Sequence, residues 1–208
     1  APRRTAPRLG YAATIYNGIN LAHYPFHPTP GNHLVAAGRF VPEKGFHDLM
    51  NAFQKAGIQE KGWKLVIVGK ADHEDRYSRS LKEQTSRTSG VIMTGFLHGD
   101  RVHELHHWRG LFIIPSYYEG LPIVLLEALS HGKDIVATDI PANRELGLPR
   151  SRYFKAGDVD GLAKKIKSLA QNPDLADDAG FEPSEVLKKY SWDLIADQTM
   201  EVYEKVIG

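Results

Sequence analysis

The chain has 208 residues, 42% of them hydrophobic, with 26 Lys and Arg set against 25 Asp and Glu and no cysteine. That composition suits one sizeable globular domain; the charge balance gives no support for nucleic-acid binding, and the absent thiols exclude disulfides and thiolate metal sites. The longest apolar runs, such as residues 111–115, are far too short to span a bilayer, and no charged-then-apolar leader is present, so a soluble, cytoplasmic protein or piece of one is expected.

Residues 1–10 hold three Arg, two Pro and one Gly without an apolar period, and read as a flexible arm ahead of a domain over 11–208. From there short apolar runs alternate with amphipathic stretches. Residues 33–38 form a run ending in Gly, and a helical pattern follows over 46–56 with Leu49, Met50 and Phe53 on one face. Residues 64–69 repeat the run, and a charged helix is predicted over 74–87. Further strands are predicted at 91–95, 111–115 and 135–138, with helices at 100–108 and 122–131. Beyond Gly157 the chain reads as helical throughout, at 158–170, 182–189 and 192–207. Continuous apolar runs between amphipathic segments indicate a parallel sheet covered on both faces. The expected fold is therefore α/β, a Rossmann-like doubly wound parallel sheet with a helical C-terminal extension.

Such sheets bind ligands beyond the carboxyl ends of their strands, where the strand order reverses, although the fold alone assigns no chemistry. The residues just after each run therefore matter most. The first run is followed by Gly38-Arg39-Phe40-Val41-Pro42-Glu43-Lys44-Gly45. Two cations and the start of a helix favour an anion there, and a guanidinium fork with a point-charge ammonium can clamp a diphosphate. Two solvated surface cations are the alternative. The spacing matches neither a Walker loop nor a dinucleotide fingerprint.

The second group is Pro115-Ser116-Tyr117-Tyr118-Glu119-Gly120-Leu121-Pro122, leading into Ile123-Val124-Leu125-Leu126-Glu127. Pro122 suits the first position of a helix, which places Glu119 in the loop before it. Glu127 falls in an otherwise apolar stretch, where a carboxylate needs donors such as vicinal sugar hydroxyls. A polar stripe shared with Ser130 and His131 is the competing arrangement.

With Asn17-Gly18-Ile19-Asn20 upstream and Tyr190-Ser191-Trp192 before the last helix, this ordered set resembles the C-terminal domain of the retaining GT-B glycosyltransferases. That is family four, the group 1 glycosyl transferases, and the similarity runs from about Thr14 to the end of the chain. The resemblance implies one half of a two-domain GT-B fold and donor binding from a nucleotide-diphosphate sugar, UDP or GDP. Arg39 and Lys44, in the loop opened by Gly38, would hold the diphosphate and stabilise the leaving group. Glu127 would accept from the ribose hydroxyls, and Glu119 from the transferred sugar. The backbone of Gly120, Leu121 and Ile123 would lie beside the donor, and Gly95, Phe96 and Leu97 at the nucleobase. The resemblance also implies that no metal or other cofactor is required, the cationic clamp taking that electrostatic role.

Three departures accompany the resemblance. The family's N-terminal acceptor domain is not present in the chain. Where many members carry Gly-Gly before a Glu, this chain has Pro141-Ala142-Asn143-Arg144-Glu145. A histidine cluster, His98, His103, His106 and His107, lies near the expected base site; His103 and His107 have a spacing that suits a metal, but a solvated helix face is the better reading. A non-catalytic nucleotide-sugar-binding module, or an epimerase or phosphorylase on the same fold, are the alternative functions. Peripheral membrane association of the full-length enzyme, at the inner face, is a further expectation.

Overall fold

The computed structural model describes residues 13–19, 30–97, 109–172 and 180–207. Six strands form one sheet: β1 (Pro30–Ala37), β2 (Lys64–Val68), β3 (Val91–Gly95), β4 (Arg109–Ile114), β5 (Asp134–Thr138) and β6 (Tyr153–Phe154). Every pairing is parallel, and the spatial order is β3-β2-β1-β4-β5-β6. The order reverses between β1 and β4, so a crevice opens there beyond the strand ends. The doubly wound sheet expected from the sequence is what is observed.

The central strands are apolar on both faces because both faces are covered. Leu34, Ala36, Leu65, Ile67, Leu111 and Ile113 project to one side, into a core shared with α1 (Phe46–Ala56), α2 (Arg76–Arg87) and α5 (Val159–Gln171). Val35, Val66, Val68, Phe112, Ile114 and Ile135 project to the other, against α3 (Ile123–Ser130). Alternation of period two within each run is what divides them. α4 (Pro141–Arg144), α6 (Pro183–Lys188) and α7 (Trp192–Ile207) complete the described helices.

Several boundaries differ from the sequence expectation. Helix α5 is not an appendage; Leu162, Ala163, Ile166 and Leu169 pack into the same core as α1, so the extension begins only after it. The charged helix starts at Arg76 because Asp75 caps it, accepting from Ser78 N at 2.7 Å while Asp75 N donates to Ser78 Oγ at 2.9 Å. Pro122 caps α3 instead of opening it, its carbonyl accepting from Leu125 N at 2.9 Å. The arm at 1–10, the helix expected at 100–108 and the four histidines lie outside the described residues.

The two terminal motifs meet in space. Ile19 N donates to Tyr190 O at 2.7 Å, Ile19 bridges to Ser191, and Tyr16 packs edge-on to Tyr190 at 5.6 Å. A Cβ on Gly18 would lie 2.6 Å from the Trp192 ring, so only glycine admits the indole there.

Candidate functional site

The crevice is built by close approaches that glycines permit. Gly69, which closes β2, has φ 141, and a Cβ there would collide with the Gly38 carbonyl oxygen. Gly38 N in turn donates to Val68 O at 3.0 Å, which locks the ends of β1 and β2 together. Gly45 caps α1 with φ 65, and a Cβ on it would run into the Pro115 carbonyl. The loop after β4 thus lies directly on the start of α1, a contact reinforced by Tyr117 N donating to Glu43 O at 2.8 Å.

That contact brings Lys44 to Glu119. Lys44 Nζ donates to Glu119 Oε1 at 2.7 Å and to Oε2 at 2.8 Å, and Ser116 Oγ donates to Oε1 at 2.6 Å. The pair is largely shielded, with side-chain exposures of 19% for Lys44 and 8% for Glu119. Ser116 is held from behind, because its carbonyl accepts from buried Thr138 Oγ1 at 2.6 Å and Asn143 Nδ2 donates to Thr138 O at 2.9 Å. The segment that departs from the family's Gly-Gly pattern therefore braces this loop through Asn143.

Beside the ion pair opens a cavity of about 360 Å³, lined mainly by apolar surface, with Gly38, Arg39, Phe96, Leu97 and Glu127 among its walls. Five positions singled out in the sequence, from two different strand ends and one helix, thus share one space. Lys44 borders it, since its Cδ would lie 3.5 Å from a Cβ on Gly38. Glu127 sits on the exposed face of α3, and Ser130 Oγ and His131 Nδ1 contact its backbone carbonyl at 2.7 and 2.8 Å. Ser130 is half-buried and His131 is buried. Gly95 is not among the lining residues; it ends β3 with φ 75, and its carbonyl accepts from Gly69 N at 2.9 Å. Gly120 is exposed with open space around its Cα, Leu121 is half-buried, and Ile123 N donates to Leu121 O at 2.9 Å, an internal use of that amide.

Two charged lining residues escaped the sequence reading. Lys70 lies 5.5 Å over the Phe96 ring, and Asp72 accepts from Arg39 Nη1 at 3.1 Å. The sign of them was available, because they follow the glycine that closes β2 just as Arg39 follows the glycine that closes β1. Arg39 and Asp72 are both exposed, at 66% and 62%, so water competes for the pair and a stronger anion can displace the carboxylate. The cavity therefore offers an aromatic ring under a cation, a carboxylate on a helix, and cations at its mouth, a set suited to a ligand with a planar group, hydroxyls and a multiply charged anion. Among the described residues no group of three or more His, Asp or Glu is placed to hold a metal, and no described helix is long and apolar enough to cross a membrane.

Comparison with known proteins places this cavity in context. The family described as Glycosyl transferases group 1 matches residues 25–182. An uncharacterized glycosyltransferase of Methanocaldococcus jannaschii is 31% identical over 179 residues, covering 82% of this chain and 44% of its own. The glycogen synthase of Mycobacterium tuberculosis H37Rv is 28% identical over 205 residues, covering 95% of this chain and 49% of its own. The chain thus spans about half the length of the curated relatives it matches. Among solved structures, Anabaena HepE in complex with UDP-glucose superposes with a TM-score of 0.77 at 22% identity, over 92% of this chain and 57% of that one. Sucrose-phosphate synthase from Thermosynechococcus elongatus gives 0.75 at 21% identity, over 93% of this chain and 52% of its own.

Proposed function

The chain belongs to the group 1 glycosyl transferases, and we propose that it is the donor-binding half of a retaining GT-B enzyme of family four. In this reading it is the C-terminal domain, and the whole protein transfers a hexose-type sugar from a UDP- or GDP-sugar to a glycan or lipid-linked acceptor. The observation that carries the proposal is the single cavity shared by Gly38, Arg39, Phe96, Leu97 and Glu127, with the Lys44–Glu119 pair at its border. The HepE structures bound to UDP and UDP-glucose support a nucleotide-sugar ligand for the same fold.

Roles follow from position. The base lies against Phe96 and Leu97, and Glu127 accepts from the ribose hydroxyls. Arg39 leaves Asp72 for the diphosphate, and Lys44 reaches it while still bonded to Glu119. When the bond from the anomeric carbon to the diphosphate oxygen breaks, these cations stabilise the negative charge left on that oxygen. This electrostatic work needs no metal. Glu119, fixed by Lys44 and Ser116, accepts from hydroxyls of the transferred sugar. The acceptor's hydroxyl oxygen forms the new bond on the same face, and its proton goes to the departing diphosphate, so the anomeric configuration is kept. Positioning of the acceptor's reacting hydroxyl falls to the N-terminal half of the protein, which acts in the cytoplasm at the inner membrane face when the acceptor is lipid-linked.

Thermal shifts of the 208-residue chain with UDP-, GDP- and ADP-sugars test this, because a ligand of the native state alone raises its melting temperature. A saturable shift with at least one of them is expected, without sugar transfer by the isolated chain. No shift with any of the three contradicts the proposal.

A further inference from the structure

A second cavity, of about 610 Å³, opens along the same edge of the sheet, lined by Asp139, Arg144, Arg150, Tyr153, Phe154 and Lys155. Asp139 directly follows β5 and Lys155 directly follows β6, so the space lies beyond the carboxyl ends of these two strands. Neighbouring strands are about 4.8 Å apart, which puts this cavity on the order of 10 Å across the sheet from the donor loop after β4. Thr138, the last residue of β5, joins the two places by its hydrogen bond to Ser116 O.

The chemistry of the walls is one-sided. Three cations face one carboxylate, and that carboxylate is already engaged: Arg144 Nε donates to Asp139 Oδ1 at 2.5 Å and Nη2 to Oδ2 at 2.7 Å. Arg144 and, less strongly, Arg150 hold the Asp139 carboxyl below its usual range, which places both cations near the same spot. The bidentate fork fixes the Arg144 plane, while Arg150 and Lys155 are exposed. The Tyr153 hydroxyl is spent internally, donating to Asn143 O at 2.9 Å and accepting from Leu148 N at 3.1 Å, so its ring serves as a wall. An excess of two positive charges matches a phosphate monoester dianion. The volume suits a ligand well beyond a lone ion, since sites for drug-sized molecules start at about 300 Å³.

We propose that the cavity between β5 and β6 binds the phosphate of a phosphorylated acceptor, an organic phosphate ester whose sugar or polyol part lies against Tyr153 and extends toward the donor loop. This rests on the donor-binding reading above. Arg150 and Lys155 are the binding residues, and the Arg144–Asp139 fork shapes the floor.

The test is calorimetry on the chain saturated with the nucleoside diphosphate that binds it best, so that the donor cavity cannot take up phosphate. Glucose 1-phosphate, glycerol 3-phosphate and inorganic phosphate serve as probes. At least one ester is expected to bind ten times or more tighter than inorganic phosphate. The Arg150→Gln/Lys155→Gln double variant should weaken that ester tenfold or more and leave diphosphate affinity within twofold. Equal or tighter binding of inorganic phosphate, no binding of either ester, or binding indifferent to the double variant overturns the proposal. Failure of the diphosphate itself to bind the chain would instead strike the donor-binding reading, so the two failures are distinguishable.

Discussion

Lys44 donates to both carboxylate oxygens of Glu119, at 2.7 and 2.8 Å, across the seam where the β4 loop meets the start of α1. Two residues 75 positions apart in the chain are thereby made one unit. Burial of Glu119 makes the pair structural as well as chemical, because removing one partner strands the other charge away from water. Lys44→Ala is expected to lower stability by roughly 1–3 kcal/mol, and Glu119→Gln by less, since Lys44 reaches solvent more readily. A denaturant double-mutant cycle should give a coupling of about 1 kcal/mol or more. A coupling near zero would mean a solvated pair.

In the proposed complex, Asp72 competes with the diphosphate for Arg39. Because the Arg39–Asp72 pair is exposed, its release costs little, about 1 kcal/mol at most. Asp72→Asn should therefore tighten nucleoside diphosphate binding about two- to fivefold and leave nucleoside binding unchanged. Weaker diphosphate binding in this variant would show that Asp72 orients Arg39 for the ligand.

Glu127 and Glu119 should fail in different ways in the full-length enzyme. Contacts to a ribose are alike in ground and transition states, so Glu127→Gln should mainly raise the KM for donor. Contacts to the transferred sugar change as the glycosidic bond breaks, so Glu119→Gln should lower kcat and spare diphosphate affinity. Steady-state kinetics of both variants reads the difference; an unchanged KM in Glu127→Gln would remove the ribose assignment.

Burial, and secondarily the charge of Lys133, push His33 down to about 4. A base whose folded pKa lies below its unfolded value of about 6.5 opposes protonation by staying folded as the neutral form. Its stabilising contribution is present above about pH 6.5 and is lost as the pH falls toward 4. His33→Gln should flatten that part of the profile: the drop in melting temperature from pH 7 to pH 5 should be smaller than in the wild type. An identical drop would place the acid sensitivity elsewhere.

The sheet was legible in the sequence because runs such as Leu65–Val68, buried on both faces and bounded by glycine, alternate with amphipathic stretches, the pattern of a covered parallel sheet. The rule that chemistry follows strand ends pointed to Gly38 and Arg39, and the family resemblance to Phe96 and Leu97; the four share a cavity. Only their place after the glycine that closes β2 marks Lys70 and Asp72; by residue type, a lysine and an aspartate in a polar loop look the same whether they line a pocket or face water. Helix α5 was taken for an appendage because periodicity tells that a face is apolar and not which neighbour covers it. β6 is too short, at two residues, to carry a pattern. The second cavity draws on Asp139, Arg144, Arg150 and Lys155, whose meeting depends on β5 and β6 pairing in the sheet and leaves no motif in the chain.

In the proposed complex the crevice between β1 and β4 holds a nucleoside diphosphate with its phosphates at Arg39 and Lys44. Calorimetry of the preferred nucleoside diphosphate and of its nucleoside, on the wild type, Arg39→Ala and Lys44→Ala, tests it most directly. Charge-assisted hydrogen bonds contribute roughly 1.5–3 kcal/mol, so each variant should lose about ten- to a hundredfold for the diphosphate and almost nothing for the nucleoside. Equal losses for both ligands, or none for either, would contradict it.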